Sequence, residues 1–327
     1  MSATESETTR FPPRRISALL RNRAFLTFII VALVWVVAGF AKPGFGSFGH
    51  LRYLLELAAV IGLVAIGQTF VVIAGGIDLS VGAIVTVSAV GVPLVADLGD
   101  PTGTVPVLIV LAAASGIGLL NGLGVAYLRV HPMIMTLAMA TFLQGVLILV
   151  AGGSAVSAQN PLLHWFGNAR PLLGLPAGVY LWVVVSTITL VVLHATPFGA
   201  RIFAIGANPL ATALSGVNTR TTTMAVYAIG GLTAGLAGVL LLGMNGQGYV
   251  GIGDPYLLAS IAAVVLGGTS ILGGSGTYAG TIPGAILLVT ITALITVVNA
   301  SPGWRSILFG SLILALLLFS GRESRGR

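Results

Sequence analysis

Charged residues are scarce in this sequence. Only 7% of its 327 residues are Asp, Glu, Lys or Arg, whereas a soluble domain carries about 25%. So few charges cannot cover a water-exposed surface, and 56% of the residues are hydrophobic. The mean hydropathy of +1.05 and the repeated apolar runs, close to the roughly 20 residues that cross a bilayer, predict an all-α polytopic membrane protein.

Cysteine is absent and lysine occurs once. The absence of cysteine excludes disulfides, thiolate metal sites and cysteine nucleophiles. Lys42 is followed by Pro43, so the chain cannot contain the GxxxxGK(S/T) loop that holds nucleotide phosphates. The four histidines have no second ligand at metal-binding spacing, so we expect no metal and no catalytic residues. If ATP and Mg²⁺ drive the protein, a partner subunit uses them.

Ten apolar segments give the expected topology. An even number of crossings places both termini on one side, and we expect a basic tail at 1–24, a membrane domain at 25–320 and a second tail at 321–327. The expected spans are 25–41, 53–74, 80–97, 105–128, 133–152, 178–195, 222–243, 256–272, 278–298 and 304–320.

The basic residues indicate the orientation of these spans. With the N-terminus in the cytoplasm, eleven Lys or Arg residues lie on the cytoplasmic side and four on the other, as the positive-inside rule requires. This distribution predicts cytoplasmic N- and C-termini. It also accounts for the net charge of +7 without nucleic-acid binding.

Glycine supplies 45 of the 327 residues, about twice its usual share of roughly 7%. Because lipid is as apolar as leucine, membrane helices associate by close packing, and small residues four apart let two backbones approach. We therefore expect these glycines to pack helices together. The sets with that spacing are Gly118/Gly122, Gly231/Gly235 and Gly276/Gly280/Gly284.

The Gly75-Gly76 pair lies in the middle of the apolar stretch 54–97. As a helix this stretch would be about 66 Å long, enough to cross the bilayer twice, so we expect a turn at the glycines. Asp78 could cap the helix that follows, with Ser80 as a second acceptor, or it could line a gate. Because a carboxylate at the bilayer centre costs about 3 kcal/mol, we expect Asp78 near the interface.

A weak internal echo relates residues 71–76 to residues 264–268. Such echoes accompany the internal repeats of transporters, although Gly-Gly after valine is common in this composition. The glycines from 267 to 276 also allow a second re-entrant turn.

Seven polar residues fall within or beside the apolar spans. Lipid would leave such groups unsatisfied, so they face other helices or a water-filled path. Neutral amides and hydroxyls suit a neutral polyhydroxylated solute better than an ion, and hydrogen bonding between helices is the alternative use of each. The candidates for the translocation path are Gln68, Thr69, Asp78, Ser80, Thr86, Ser88 and Asn121.

The cytoplasmic loop 196–221 predicts one short helix at 209–215. Asn208 is a good N-cap, Pro209 suits the first helical position, and Gly216 suits the position just past the last turn. A helix of about two turns is marginal alone, so packing must stabilise it. Its small residues either fit a groove on another protein or pack on this chain.

Four segments resemble the ribose-type permeases of bacterial ABC sugar importers, a family that includes autoinducer-2 permeases and is related to branched-chain amino-acid permeases. The resemblance covers most of residues 50–320. The segments are GQTFVVIAGGIDLSVGA at 67–83, AIGANPLATALSGVN at 204–218, SIAAVVLGGTSILGGSGTYAGTIPGA at 260–285 and, more weakly, PMIMTLAMATFLQGV at 132–146.

The resemblance implies a permease subunit, not an enzyme, that moves a monosaccharide or similar small polyhydroxylated solute across the bacterial inner membrane by alternating access. It implies as partners a second permease copy or paralogue, ABC ATPase subunits that use ATP and Mg²⁺, and an extracytoplasmic sugar-binding protein; no cofactor is bound directly. Residues 204–218 match the family's coupling helix. The candidates for docking the ATPase are Gly206, Asn208, Pro209, Ala211, Leu214, Ser215 and Gly216.

The chain also departs from these permeases. Many carry Glu-Ala-Ala-x-Arg where this chain has residues 209–213, so a charged contact to the ATPase is missing. Many have acids where this chain has Leu257 and Ala259, and an arginine where it has Gln144. Two other classes stay open: an ion-coupled secondary transporter, with Asp78 as its coupling group, and a branched-chain amino-acid-type ABC permease.

Overall fold

Helices make up most of the computed structural model, which describes residues 23–41, 44–96, 100, 102–158, 160–297, 301, 303–304, 306–311 and 314. In chain order the elements are α1 (Arg23–Ala41), α2 (Phe48–Ile73), α3 (Val81–Leu94), α4 (Thr104–Ala126), α5 (Pro132–Ala151), β1 (Val156–Ser157), α6 (Pro161–Asn168), α7 (Ala177–Ala195), α8 (Pro197–Ala207), α9 (Pro209–Leu214), α10 (Thr219–Asn245), β2 (Gln247–Gly248), α11 (Asp254–Leu266) and α12 (Tyr278–Val297). Residues 303–304, 306–311 and 314 are also helical.

Six of these helices are long and apolar enough to cross a membrane, namely α2, α4, α5, α7, α10 and α12. The prediction of a multi-pass helical membrane protein is therefore confirmed. Shorter apolar helices occur in α1, α3 and α11. The predicted tails 1–24 and 321–327, apart from Arg23 and Ala24, and most of the predicted span 304–320 lie outside the described residues.

Two predicted spans are wrong in length. The span predicted at 80–97 is α3, with 14 residues, and the span predicted at 256–272 is α11, with 13 residues. At about 1.5 Å per residue these helices are roughly 20 Å long, short of the roughly 30 Å hydrocarbon layer. Each adjoins a glycine turn, where the backbone leaves the helix although the residues remain apolar.

Side-chain caps and prolines set where several helices begin. Oδ1 of Asn160 accepts a hydrogen bond from the backbone N–H of Leu163 at the start of α6, and Oδ1 of Asn218 accepts one from Thr221 at the start of α10. These bonds satisfy backbone donors that the first turn leaves free. Proline, which lacks this donor, occupies the first turn of α5, α6, α8, α9 and α11.

The centre of the bundle is α2 together with α10, which packs against α2, α3 and α4. The glycines predicted to pack helices do so, except Gly276, which lies in the turn before α12 and meets Thr269. A Cβ on Gly118 would overlap the carbonyl oxygen of Tyr227, and one on Gly231 would overlap that of Ala114. The predicted close approach of helices is thus confirmed between α4 and α10, where dispersion contacts replace a hydrophobic driving force.

The internal echo has a structural counterpart. Gly75 and Gly268 both have φ of +87°, a conformation that glycine adopts without strain. In each turn the N–H of this glycine donates to the carbonyl three residues earlier, and the next N–H donates to the carbonyl five residues earlier. Residues 71–76 and 264–269 therefore end α2 and α11 in the same Schellman geometry. We call 74–80 and 267–277 the two glycine turns.

The bundle has two ends, one marked by the short helix α9 and the other by the two short strands. Helix α9 precedes the start of α10, and β2 follows the end of α10, so α9 and the β1–β2 pair lie at opposite ends. Strands β1 and β2 pair antiparallel, with Val156 opposite Gly248. We call these the α9 end and the strand end.

Candidate translocation site and docking helix

Asp78 lies in the first glycine turn and is fully buried. Its Oδ1 accepts hydrogen bonds from the backbone N–H of Ser80 at 2.8 Å and from the Ser80 hydroxyl at 2.6 Å. The Ser80 hydroxyl oxygen accepts a third from Nδ2 of Asn121 at 2.8 Å. These three predicted path residues therefore form one hydrogen-bonded chain that joins the turn to α4.

The cap role predicted for Asp78 and Ser80 is wrong. Ser80 is itself the N-cap residue of α3, and its side chain makes no capping hydrogen bond. Asp78 bonds to Ser80 instead, two residues along the chain, which is the geometry of an Asx turn. The carboxylate therefore stabilises the turn that precedes α3 rather than the first turn of the helix.

Several buried polar atoms have no hydrogen-bond partner among the described residues. They include Oδ2 of Asp78, Oδ1 of Asn121, both amide atoms of Gln68, Oγ of Ser88 and the hydroxyl of Tyr227. A Cβ on Gly230 would lie 3.9 Å from Oδ2 of Asp78, and one on Gly76 would lie 2.6 Å from the Tyr227 hydroxyl. Both groups thus lie where the first glycine turn meets α10. Buried polar groups ordinarily have partners, so these atoms are the ones to which a bound water or solute would supply a missing hydrogen bond.

All seven predicted path residues are buried, but they do not form one cluster. Asp78, Ser80 and Asn121 are joined directly, as described above. The Oγ1 of Thr69 lies 3.3 Å from the Oγ1 of Thr281 on α12. Thr69 therefore has the alternative role considered for these residues, in which a buried hydroxyl forms a hydrogen bond between two helices.

A cavity of about 230 Å³, which we call the small cavity, lies between α3, α5 and the segment 250–257. Thr86, a predicted path residue, lines it. Thr141 and Gln144 of α5 and Asp254 at the start of α11 also line it. Sequence reasoning did not select Thr141 as a path residue, because nothing in an apolar helix indicates which face meets open space.

Helix α9 confirms the short helix predicted in the loop 196–221, one residue shorter than expected. Oδ1 of Asn208 accepts a hydrogen bond from the backbone N–H of Ala211 at 2.9 Å, and Gly216 has φ of +82°. The sequence prediction missed α8. Two residues in the sequence do indicate the start of α8. Thr196 is its N-cap, since its Oγ1 accepts a hydrogen bond from the backbone N–H of Gly199, and Pro197 occupies the first helical position.

The surface of α9 is mostly exposed. Thr212 faces inward and is 6% exposed, whereas Leu210 and Leu214 are 71% and 82% exposed. Large apolar side chains at such exposure indicate that this short helix is not fully packed by its own chain. The exposed docking candidates are Asn208, Pro209, Ala211, Leu214, Ser215 and Gly216.

Gly206, the seventh docking candidate, packs against both glycine turns. A Cβ there would overlap the carbonyl oxygen of Ile73 and the backbone nitrogen of Gly274. The N–H of Gly274 donates to the carbonyl of Ile73 at 2.9 Å, and a Cβ on Gly273 would lie 2.9 Å from the Cα of Gly75. We call these five residues the glycine junction. It brings the end of α8, directly before α9, into backbone contact with both turns.

A second polar link inside the bundle was not predicted. The hydroxyl of Tyr278 accepts a hydrogen bond from Nε1 of Trp182 at 2.7 Å and donates one to the carbonyl of Gly62 at 3.0 Å. It ties α2, α7 and α12 together. Trp182 and Gly62 are 96 and 216 residues from Tyr278 along the chain, so no local pattern in the sequence indicates that these groups meet.

This arrangement of spanning helices, buried polar groups that are nearly all uncharged and a short exposed helix is that of a membrane transport permease. The family described as "Branched-chain amino acid transport system / permease component" matches residues 51–317. The chain belongs to that family.

Individual relatives are similar along nearly the whole chain. The ribose import permease protein RbsC of Escherichia coli K12 is 33% identical over 300 residues, covering 90% of this chain and 93% of that protein. RbsC of Bacillus subtilis is 34% identical over 302 residues, covering 91% of each. The galactose/methyl galactoside import permease protein MglC of Escherichia coli K12 is 30% identical over 319 residues, covering 90% of this chain and 95% of that protein.

Proposed function

We propose that this chain is the permease subunit of an ATP-binding cassette importer that moves a monosaccharide, or a similar small polyhydroxylated solute, by alternating access. The similarity of 90% of the chain to permeases named for ribose and galactose import carries the proposal. The buried polar residues support it, because they are nearly all uncharged hydroxyls and amides. Such groups both donate and accept hydrogen bonds, as the hydroxyls of a neutral sugar require.

The proposed assembly lies in the bacterial inner membrane, with cytoplasmic termini and ten membrane segments in this chain, of which α3 and α11 are too short to span the hydrocarbon layer as helices alone. Its other members are a second permease copy or paralogue, an ABC ATPase that uses ATP and Mg²⁺, and an extracytoplasmic sugar-binding protein. Eleven of the fifteen basic residues fall on the proposed cytoplasmic side. The α9 end is then cytoplasmic and the strand end extracytoplasmic.

Helix α9 is the proposed docking element for the ATPase. Its exposed leucines and small residues support this role, since a short helix with one open face fits a groove on a partner. The glycine junction gives the docked helix a direct mechanical connection. Closure of the ATPase would move α9 and Gly206, and the backbone contact of Gly206 with Ile73 would pass this movement to the first glycine turn, which holds Asp78.

The proposed translocation path runs past the first glycine turn and the small cavity. Asp78, Ser80 and Asn121 would line its inner part, together with the unpartnered amide of Gln68. Thr86 would line the small cavity. Thr69 and Ser88 remain candidates, although Thr69 has a partner on α12.

Two alternative functions differ from the proposed one in the solute transported or in the energy source. An ion-coupled transporter would use Asp78, yet one carboxylate oxygen of Asp78 is already bonded twice to Ser80. A branched-chain amino-acid permease is favoured by the family description. The relatives named above, however, are named for sugars.

The cargo is tested by uptake into proteoliposomes that hold this chain with its ATPase and binding protein. Labelled ribose, xylose, galactose and leucine are each supplied on the side of the membrane that holds the binding protein. ATP is supplied on the other side, where the ATPase is docked. We expect ATP-dependent uptake of at least one sugar and none of leucine. Uptake of leucine with no sugar transported would replace the sugar proposal with the amino-acid one.

A further inference from the structure

The connection between α6 and α7, residues 169–176, carries two leucines at its tip. Leu172 and Leu173 are 65% and 80% exposed. We call residues 169–176 the leucine loop. Neighbouring large apolar side chains that are exposed to this extent mark a surface that meets a partner or a membrane.

Backbone hydrogen bonds close the leucine loop. The N–H of Ala177 donates to the carbonyl of Ala169 at 2.9 Å, and the N–H of Leu175 donates to the carbonyl of Leu172 at 2.9 Å. Leu173 has φ of +49°, which is uncommon for a residue with a side chain. Since such a conformation persists only where the surroundings hold it, the two leucines are presented on a fixed loop.

Arg52 of α2 holds the tip of the loop through its backbone. The guanidinium donates to the carbonyl of Leu173 at 3.2 Å and stacks on the ring of Phe48, with 4.1 Å between Cζ and the ring centroid. Gly174 allows this approach, because a Cβ there would lie 2.7 Å from Nη2 of Arg52. The leucine loop is therefore attached to the start of α2 as well as to α7.

The loop lies at the end of an exposed apolar stripe on α7. The hydroxyl of Tyr180 donates to the carbonyl of Leu172. Val184, Ile188 and Val191 share the face of Tyr180 by helical spacing, and they are 56%, 56% and 53% exposed. Because α7 is long and apolar enough to cross a membrane, this stripe faces hydrocarbon. The two leucines continue it past the end of the helix.

The residues around the two leucines are those expected at the boundary between hydrocarbon and water. Trp165, in the last turn of α6, is 45% exposed, and Trp and Tyr concentrate at this depth because each joins an apolar ring to a polar atom. Arg170 is exposed two positions before Leu172, and guanidinium groups pair well with phosphate. A soluble protein could cover the loop, but only lipid accounts for the loop and the α7 stripe together.

We infer that the leucine loop is an interfacial anchor, in which Leu172 and Leu173 insert among the acyl chains of phospholipid and Arg170 lies at the level of the phosphates. The anchor requires only that the chain lies in a bilayer. The proposed function supplies the side, which is the extracytoplasmic leaflet. The anchor holds the starts of α2 and α7 at a fixed depth while the α9 end meets the ATPase.

Spin labels measure the depth of the loop, because the chain has no cysteine of its own. Leu173→Cys carries the label at the tip. Val184→Cys carries it on the α7 stripe, and Ser154→Cys carries it on the exposed connection after α5. Each variant is reconstituted with its ATPase in phospholipid nanodiscs. Collisions of the label are then measured with oxygen, which concentrates in hydrocarbon, and with a water-soluble nickel chelate.

We expect the ratio of oxygen to nickel collisions at Leu173→Cys to be several-fold above that at Ser154→Cys and closer to that at Val184→Cys. A ratio equal to that at Ser154→Cys would place the loop in water, open to a soluble protein, and would overturn the inference. Rare collisions with both reagents at Leu173→Cys would mean that a protein subunit covers the loop, and would overturn it as well.

The measurement separates the anchor from the proposed function, because it requires no transport. A label at Leu173→Cys that meets oxygen in a chain without ATP-dependent sugar uptake would reject the importer and keep the anchor. Sugar uptake by a chain whose label at Leu173→Cys meets mainly the nickel chelate would reject the anchor alone.

Fluorescence tests the second leucine and covers the case in which Leu173→Cys does not fold. Leu172→Trp and Ser154→Trp each add one tryptophan to the four of the chain. In lipid with brominated acyl chains, which quench tryptophan on contact, we expect the emission added by Leu172→Trp to be lost and that added by Ser154→Trp to be kept. Emission from Leu172→Trp that survives in brominated lipid would contradict the anchor.

Discussion

At the scale of single residues, Gly206 is the position where shape matters most. It resembles a docking residue in sequence, because it stands three positions before Pro209, the first residue of the short helix α9. Its surroundings are nevertheless internal, since a Cβ would overlap the Ile73 carbonyl and the Gly274 nitrogen. The absence of a side chain at Gly206 is what lets α8 touch both glycine turns.

Gly206→Ala should therefore lower the free energy of unfolding. Alanine favours a helix over glycine by about 0.5–1 kcal/mol, but overpacking costs about 1–3 kcal/mol, so the overlap outweighs the gain. Thermal unfolding in detergent measures the change. Gly116→Ala is the matched control, because a Cβ there meets nothing within 4 Å, and it should be neutral or slightly stabilising. Equal melting temperatures for the two variants would contradict the packing described for the glycine junction.

The buried polar residues mark the limit of what sequence predicts at this scale. Asp78, Ser80 and Asn121 stand out because polar groups in an apolar stretch need partners, and the structure brings them together. Which atoms pair could not be predicted, because Ser80 and Asn121 are 41 residues apart along the chain. Tyr227 and Trp182 were missed, because no local pattern in the sequence indicates which groups they meet.

At the scale of elements, the helices were easier to predict than their ends. Hydropathy finds α2, α4, α7 and α10 because each is a continuous apolar run. It overestimates α3 and α11, because the glycine turns beside them are as apolar as the helices. The end of a helix at Gly75 or Gly268 is set by backbone conformation, which hydropathy does not measure.

Helix α9 gives a prediction at this scale. Ser215→Arg should abolish binding of the ATPase, because a long charged side chain would enter a face built from small and apolar residues. Size-exclusion chromatography of the co-expressed subunits measures the association. Ser154→Arg, an exposed serine at the strand end, is the control and should retain full binding. Retention of the ATPase by Ser215→Arg would place docking elsewhere.

At the scale of the whole molecule, composition alone defines a polytopic helical protein, and the structure agrees. The sequence motifs identify the permease family, which the match over residues 51–317 confirms. The two cavities could not be predicted, because they arise between elements that are distant in the chain. A second cavity, of about 430 Å³ at the strand end, is lined for example by Ile61 of α2 and Val289 of α12, which are 228 residues apart in sequence.

The shared geometry of the two glycine turns also belongs to this scale. One turn ends a long helix and the other ends a short one, and both meet Gly206. Internal repeats in transporters often place the moving parts where the repeats meet. The glycine junction is such a meeting point, and it lies beside the helix proposed to receive the ATPase.

The central claim is that ATP hydrolysed by a partner moves a solute through this chain. The most direct test compares sugar uptake into proteoliposomes that hold the complete complex, supplied with ATP, with uptake into proteoliposomes that hold this chain alone under a proton or sodium gradient. The account predicts uptake by the complex with ATP and no uptake by the chain alone under either gradient. Gradient-driven uptake by the chain alone, unaffected by ATP, would contradict it and make Asp78 the group to study next.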